Sequence, residues 1–289
     1  MIHTGLENRV ALITGANNPQ GIGAGIARSL AAQGARVCLH YFRTHQSLEG
    51  DTETAGEGHY HAQQAKSAQD IAREINSAGG NALCIEADLG DPLTPTALFD
   101  FIEKQWGAAE ILVNNACYWE SDTFLPPEQE TVSKQVETWA ARPQTFRPDV
   151  FDRLFAVDTR AVAHLMTEFV KRHIAKGATY GRIVNISTDG AHCFPSEVTY
   201  GAAKLAVEGY TRSAAVELGK FGITVNCISP GPIQTGWITP EFEKDLAVNT
   251  PLGRVGTPSD IADVAVFLAS EQGRWVTGQV IKVNGGHSV

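Results

Sequence analysis

Short apolar runs alternate along this chain with longer stretches in which apolar positions recur every three or four residues. Continuously apolar runs are typical of strands in a parallel sheet that helices cover on both faces. The alternation predicts a single α/β domain over residues 1–289, a doubly wound parallel sheet that binds its ligand at the carboxyl ends of the strands. The predicted strands are 9–14, 36–41, 82–86, 111–114, 182–187, 224–228 and 280–283, and the predicted helices are 25–33, 63–78, 96–105, 150–175, 197–220 and 259–270.

Two insertions interrupt this alternation. The polar, glycine-containing segment near 45–62 predicts a mobile surface loop. The segment near 118–148 carries several aromatic residues and is long for a connection in a compact domain. We expect the second insertion to cover the functional site or to pack on a neighbouring subunit.

Composition and charge narrow the range of partners. The chain has 43% hydrophobic and 19% charged residues, as ordinary globular proteins do. Its net charge of −9 argues against nucleic acid as a partner. The five cysteines show no CxxC spacing, so we expect free thiols, a reducing compartment and no structural metal. No stretch has the length and apolar character of a membrane span or a signal core, so a cytoplasmic protein without a membrane partner is expected.

A glycine-rich turn separates the first strand from the first helix. Gly15, Gly21 and Gly23 lie in it, together with Asn17 and Ile22. Glycines at such a turn let a pyrophosphate approach the backbone at a helix N-terminus. The turn therefore predicts a dinucleotide site, and a structural turn without a ligand is the alternative.

Tyr200 and Lys204 are four residues apart in a predicted helix and so share one face. A free tyrosine has a pKa near ~10, which is high for proton transfer at neutral pH. A neighbouring ammonium stabilises the phenolate and lowers that pKa. The pair therefore predicts an acid–base unit, and an ordinary surface pair is the alternative.

These motifs occur in one order with Asn114, Asn115 and Ala116 after the fourth strand and a serine–threonine pair after the fifth. The combination resembles the short-chain dehydrogenase/reductase family over nearly the whole chain. The resemblance implies a Rossmann-type fold, a nicotinamide cofactor and a small carbonyl or alcohol substrate. It is most similar to 3-oxoacyl-[acyl-carrier-protein] reductases, although sugar, steroid and polyol dehydrogenases share the same motifs.

The resemblance also implies roles for other residues. Tyr200 would be the acid–base, and Lys204 would tune it and hold the ribose. Asp88 would contact the adenine, although a turn or cap residue is an equal alternative from the residue alone. The segment 236–250 would be a flexible substrate lid, and the long helices with the C-terminal strand would build a homotetramer. The remaining implied cofactor contacts are Leu89, Asn115, Ala116, Pro230, Gly231, Ile233 and Thr235.

The end of the second strand bears on the choice between NADP and NAD. Tyr41 stands where an acid would bind the ribose 2′-hydroxyl and repel a 2′-phosphate. Arg43 can bind a phosphate through two hydrogen bonds, and His40 and His45 can add positive charge. The sequence therefore predicts NADP. NAD stays the alternative, with Arg43 as a solvated loop residue.

The hydroxyl that orients the substrate carbonyl has two candidates. Ser187 lies 13 residues before Tyr200, which is the usual interval of the family. Counting along the strand places Thr188 there instead. Loop spacing favours Ser187, and Thr188 stays open.

Three features depart from the family pattern. Five residues separate Gly15 from Gly21, which is similar to the enoyl reductase branch, but that branch has its lysine where this chain has Val207. Cys117 replaces a glycine. Asp158 lies in an apolar helix stripe where the family has an asparagine that holds a proton-relay water. We expect Asp158 to pair with Lys204 and to alter the pH dependence; the alternative is that it faces solvent or a subunit neighbour.

The sequence thus predicts an NADP-dependent enzyme that reduces a ketone, with a 3-oxoacyl thioester as one candidate substrate. An NAD-dependent alcohol, polyol or steroid dehydrogenase is one alternative. A dinucleotide-binding regulator without catalysis is another, and it would bind the cofactor without turning over any carbonyl.

Overall fold

The computed structural model describes residues 3–44, 51–129 and 144–288. All strands of its seven-stranded main sheet are parallel, in the order β3-β2-β1-β4-β7-β8-β9. The predicted doubly wound α/β fold is confirmed. The main strands are β1 (Val10–Ile13), β2 (Arg36–Tyr41), β3 (Asn81–Glu86), β4 (Ile111–Asn114), β7 (Gly181–Ile186), β8 (Ile223–Pro230) and β9 (Val280–Val283), and the short strands β5 (Asp122–Thr123) and β6 (Gln144–Thr145) pair separately.

The sheet is buried on both faces because successive side chains of a strand point to opposite sides. In β1, Ile13 belongs to one hydrophobic cluster and its neighbour Leu12 belongs to the other. The order of the strands reverses between β1 and β4, which opens a crevice at their carboxyl ends. The helices are α1 (Ile22–Ala32), α2 (Glu57–Gln64), α3 (Gln69–Ser77), α4 (Thr94–Trp106), α5 (Pro148–Phe155), α6 (Ala161–Ala175), α7 (Val198–Leu218), α8 (Pro240–Asn249) and α9 (Pro258–Ala269).

Two of the predicted helices are interrupted. The predicted helix 63–78 is α2 followed by α3, because the hydroxyl of Ser67 accepts the backbone N–H of Gln69 and starts a new helix there. The predicted helix 150–175 contains a π-helical turn at Ala156–Arg160. Such turns are frequent at functional sites, and this one carries Asp158.

The first insertion is not the loop that we expected from its polarity. Its described part includes α2 and packs across the glycine-rich turn. The side-chain amide of Asn17 donates to the backbone carbonyls of Gln64 (2.6 Å) and Lys66 (3.0 Å). The backbone N–H of Gly56 donates to the carbonyl of Gly236 at 2.9 Å. The insertion therefore connects the glycine-rich turn to the segment that follows β8, while residues 45–50 lie outside the described residues.

The second insertion is anchored at both described ends by the pairing of β5 with β6. The buried carboxylate of Asp122 accepts the backbone N–H of Thr199 at 3.0 Å and also accepts its hydroxyl. Asp122 thereby satisfies a backbone donor in the first turn of α7. The insertion thus fixes the start of the helix that carries Tyr200, and residues 130–143 lie outside the described residues.

Candidate active site

A cavity at the carboxyl ends of β1, β4, β7 and β8 brings together most of the predicted site residues. Four predicted residues do not line it: Gly23, Tyr41, Arg43 and Asp158. Within the described ranges, no group of three or more side chains is arranged to hold a metal ion, and no helix is long and apolar enough to cross a membrane. The predicted residues that line the cavity are Gly15, Asn17, Gly21, Ile22, Asp88, Leu89, Asn115, Ala116, Ser187, Thr188, Tyr200, Lys204, Pro230, Gly231, Ile233 and Thr235.

The glycine-rich turn is packed too closely for side chains at two positions. Gly15 has a φ of +67°, and a Cβ there would lie 2.6 Å from the Cα of Ala116. A Cβ on Gly23 would lie 2.5 Å from the carbonyl oxygen of Gly15 and 2.6 Å from the amide nitrogen of Asn115. The same amide donates to the carbonyls of Thr14 and Gly15 at 2.9 Å. The turn therefore presents bare backbone to the cavity at a helix N-terminus, and this arrangement fits a pyrophosphate.

The carboxylate of Asp88 is held by Arg153 at one end of the cavity. Both terminal nitrogens of Arg153 lie 3.0 Å from it, and the backbone N–H of Gly90 donates to it at 2.7 Å. Asp88 therefore closes a local turn and also lines the cavity. Arg153, which also lines the cavity, was missed from the sequence because its helix showed only an apolar stripe.

The end of β2 differs from the expected phosphate-binding arrangement. Tyr41 is buried, and its hydroxyl contacts Ser67 at 3.1 Å. The guanidinium of Arg43 forms two hydrogen bonds with the carboxylate of Glu86, at 2.8 and 2.7 Å. Burial lowers the pKa of His40 to about 4, so its ring is neutral at pH 7 and the positive charge expected of it is absent. His45 lies outside the described residues.

Tyr200 and Lys204 lie on the cavity side of α7, and Lys204 is buried beside Asp158. The Lys204 ammonium is 3.4 Å from Oδ2 of Asp158 and donates to the backbone carbonyl of Ile186 at 3.3 Å. Oδ1 of Asp158 accepts the backbone N–H of Tyr118 at 2.7 Å. Asp158 is 0% exposed, so the expected pairing with Lys204 is present and the solvent-facing alternative is wrong.

The pKa of Tyr200 differs from the sequence prediction, in which a neighbouring ammonium lowers the pKa of the tyrosine. Burial, followed by the influence of Cys117, Asp158 and Glu197, raises the pKa of Tyr200 well above its usual value. Burial is the largest influence and disfavours the Lys204 ammonium, but Asp158 and Cys117 together favour it, and the pKa of Lys204 is raised. The ammonium of Lys204 therefore lies beside Asp158, whose own pKa is raised by burial, and does not act on Tyr200 alone.

The two candidate hydroxyls have different surroundings. Ser187 is buried, and its hydroxyl donates to the buried carboxylate of Glu208 at 3.0 Å. The hydroxyl of Thr188 accepts the backbone N–H of Gly190 at 3.3 Å. The hydroxyl of Ser187 thus already donates its proton to Glu208, whereas the hydroxyl of Thr188 can donate its proton to a ligand.

An aromatic wall lines the same cavity as Tyr200. The rings of Trp119 and Tyr60 both pack edge-on against Trp237, with centroid distances of 4.9 and 4.7 Å. Tyr60 comes from the first insertion, so its place beside Trp237 follows from the fold and not from its position in the sequence. Glu197, one helical turn before Tyr200, also lines the cavity; its position on the helix that carries Tyr200 was the one signal in the sequence.

Comparisons with known proteins agree with this arrangement. A family model described as Enoyl-(Acyl carrier protein) reductase matches residues 15–288. The protein named uncharacterized oxidoreductase YjdA of Bacillus subtilis (strain 168) is 32% identical over 282 residues, 97% of each chain. The hydroxynaphthalene reductase-like protein Arp2 of Metarhizium robertsii is 34% identical over 299 residues, covering 97% of this chain and 95% of its own.

The solved structures include chains with the same fold along their whole length. A dehydrogenase/reductase from Sinorhizobium meliloti 1021 is similar to this chain with a TM-score of 0.76 and 29% identity. The match covers 99% of this chain and 97% of that one.

Proposed function

Because the chain belongs to the short-chain dehydrogenase/reductase family, we propose that this oxidoreductase reduces a ketone with Tyr200 as the proton donor. The observation that carries the proposal is one cavity that joins the glycine-rich turn to Tyr200 and Lys204. The matched family model bears the name of enoyl reductases. The catalytic lysine of that branch would fall at Val207, so the spacing of Tyr200 and Lys204 favours reduction of a carbonyl over that of a carbon–carbon double bond.

In the proposed reaction a nicotinamide cofactor, when bound, supplies a hydride to the carbonyl carbon. The π electrons of the carbonyl bond move to its oxygen, and the hydroxyl of Tyr200 gives that oxygen a proton, which yields the alcohol. Lys204 lies one helical turn from Tyr200 and would hold the cofactor ribose. The bare backbone at Gly15 and Gly21 receives the pyrophosphate.

We assign the carbonyl-orienting hydroxyl to Thr188. Its proton is available to a substrate oxygen, whereas the hydroxyl of Ser187 donates to Glu208. A hydroxyl donor placed at the developing oxyanion stabilises it. We expect Thr188→Ala to lower kcat more than Ser187→Ala, and the opposite ranking would return the role to Ser187.

For the cofactor we propose NADP. The end of β2 offers Phe42 and Thr44 to the cavity, and Tyr41 stands where an acidic side chain would repel a 2′-phosphate. Arg43 lies between these two residues and is half-exposed, and a 2′-phosphate would take the place of its Glu86 partner. The ratio of catalytic efficiencies with NADPH and NADH tests this proposal, and a preference for NADH would refute it.

For the substrate we propose a flat, apolar ketone, for which a 3-oxoacyl thioester is the second candidate. The aromatic wall formed by Trp119, Trp237 and Tyr60 favours a planar ring system, because stacked or edge-on aromatic contacts stabilise it. The relative from Metarhizium robertsii carries the name of a hydroxynaphthalene reductase-like protein. The segment 236–250, which includes α8, would close over such a substrate as a lid.

We also propose a homotetramer in the cytoplasm. The free cysteines suit a reducing compartment. On α7 the side chains of Leu205, Tyr210 and Val216 are exposed although apolar, and Val216 is 86% exposed. A second copy would cover them. Light scattering tests the assembly, and a monomer would contradict it.

The experiment that tests the function is turnover of a panel of aromatic ketones and 3-oxoacyl thioesters with NADPH or NADH. Oxidation of the cofactor with a ketone present supports the proposal. Tight cofactor binding without turnover of any carbonyl would support the regulator instead. Turnover only of alcohols with NAD would support the dehydrogenase alternative.

A further inference from the structure

The C-terminal turn of the chain, residues 284–288, packs against the loop that carries Thr188. Nδ1 of His287 donates to Oδ2 of Asp189 at 3.0 Å, and the side-chain amide of Asn284 donates to the same oxygen at 3.3 Å. The side chain of Asp189 is 11% exposed, so water competes less for these contacts than it does for a surface ion pair. Two residues of the turn therefore hold the carboxylate that follows Thr188 directly.

The turn that carries His287 is closed by its own hydrogen bonds. The backbone N–H of His287 donates to the carbonyl of Asn284 at 3.0 Å, and the side-chain oxygen of Asn284 accepts the N–H of Gly286 at 3.0 Å. Gly285 and Gly286 have φ values of +63° and +87°, which favour glycine. The imidazole thus approaches Asp189 from a defined turn.

Both neighbours of Thr188 in the sequence are anchored to other elements. On one side, the hydroxyl of Ser187 donates to the carboxylate of Glu208 on α7 at 3.0 Å. On the other side, the C-terminal turn binds the side chain of Asp189, and the backbone N–H of Asp189 donates to the carbonyl of Pro230 at 2.8 Å. The position of Thr188 therefore depends on these two anchors.

The C-terminal turn also contacts the chain just after the segment 236–250. The backbone N–H of Leu252 donates to the carbonyl of Gly285 at 3.2 Å. This contact uses the backbone of the turn and not the ring of His287. A change of the His287 side chain therefore removes its contact with Asp189 while this second contact can remain.

We propose that His287, acting through Asp189, is a positioning residue that holds the hydroxyl of Thr188 in place for the substrate carbonyl. The inference rests on the proposed function, in which that hydroxyl donates to the developing oxyanion. Neither Asp189 nor His287 is among the residues that line the cavity, so both act through Thr188 and not on the substrate. Displacement of a group at the reacting centre by about 1 Å can cost a large factor in rate, even when the cause lies elsewhere.

The test is a double-mutant cycle on kcat with His287→Ala and Thr188→Ala. We expect His287→Ala to lower kcat about threefold to tenfold on its own and to have no further effect in Thr188→Ala, because coupled residues are not additive. His287→Asn, whose side-chain amide can donate in place of Nδ1, should restore most of the rate. His3→Ala, which changes an exposed histidine near the N-terminus, should keep the wild-type kcat. Equal fold losses from His287→Ala in both backgrounds would overturn the proposal.

A second readout does not depend on turnover. Amide hydrogen exchange of residues 187–191 reports how firmly this loop is held, because the N–H groups of Asp189 and Ala191 donate to Pro230 and Thr188. Exchange should become faster in His287→Ala and return toward the wild-type rate in His287→Asn. Unchanged exchange in His287→Ala would overturn the proposal. Faster exchange in a protein that turns over no ketone would instead refute the proposed function, while the hold of His287 on the loop would stand.

Discussion

The indole N–H of Trp119 donates a 2.6 Å hydrogen bond to the buried carboxyl of Glu197, one helical turn before Tyr200. The other oxygen of Glu197 has no hydrogen-bond partner among the described residues. Burial raises the pKa of Glu197 from 4.5 to about 7. The contact therefore joins the loop after β4 to the catalytic helix through a group that titrates near neutral pH.

We predict that Glu197 makes the stability of the protein depend on pH. An acid with a raised pKa is protonated in the folded state at a pH where the unfolded chain is ionised. Below about pH 4.5 the carboxyl is protonated in both states and does not change the free energy of unfolding. As the pH rises from there toward about 7, the free energy of unfolding falls, and above about pH 7 it falls no further on account of Glu197. The loss is about 3 kcal/mol, from about 1.4 kcal/mol for each pKa unit. Urea unfolding of Glu197→Gln at several pH values should show most of this loss removed.

The control for that prediction is Glu217→Gln, an exposed carboxyl on the same helix. It should keep the wild-type dependence on pH. If Glu197→Gln and the wild type lose equal stability between pH 5 and 8, the buried carboxyl does not titrate as described.

The glycine-rich turn gives a second prediction. Gly23→Ala places a Cβ against the backbone oxygen of Gly15 and the amide of Asn115. Because the backbone of Gly15 cannot shift without changing the turn, we expect the dissociation constant of the cofactor to rise at least about tenfold. Stability should fall by about 1–3 kcal/mol. Nicotinamide fluorescence and urea unfolding measure the two effects. Gly219→Ala, where no atom lies within 4 Å of the new Cβ, should leave cofactor binding unchanged.

The ion pair between Arg43 and Glu86 gives a third prediction. Arg43→Ala should lower the catalytic efficiency with NADPH by about tenfold or more, because it removes a guanidinium that can form charge-assisted hydrogen bonds with the 2′-phosphate. The efficiency with NADH should stay the same. Glu86→Gln weakens the competing pair and should raise the affinity for NADPH. Equal changes with both cofactors in Arg43→Ala would place Arg43 away from the phosphate.

The sheet could be predicted from the sequence because each strand is a local apolar run between polar turns. Every predicted main strand lies within two residues of the observed one, and β2, β4 and β9 agree at both ends. The glycine-rich turn and the pair Tyr200–Lys204 are also local patterns. Residue spacing along one element was sufficient to identify them.

The features that were missed depend on contacts between distant segments. The polar composition of α2 favoured a loop, and its helix is stabilised by contacts with Asn17 and Gly236 that spacing does not reveal. Arg43 is charged and lies where the sequence predicts a phosphate contact, but the carboxylate of Glu86 on β3 binds its guanidinium.

The most direct test of the central claim is single-turnover reduction of a ketone by wild type and Tyr200→Phe, with cofactor binding measured in parallel. The loss of the proton donor should lower the rate by about a hundredfold or more, while the nicotinamide fluorescence titration stays unchanged. Tyr210→Phe, which removes only the hydroxyl of an exposed tyrosine on the same helix and keeps its ring for the proposed subunit contact, should turn over as the wild type does. If Tyr200→Phe keeps the wild-type rate, Tyr200 is not the proton donor and the proposed mechanism is wrong.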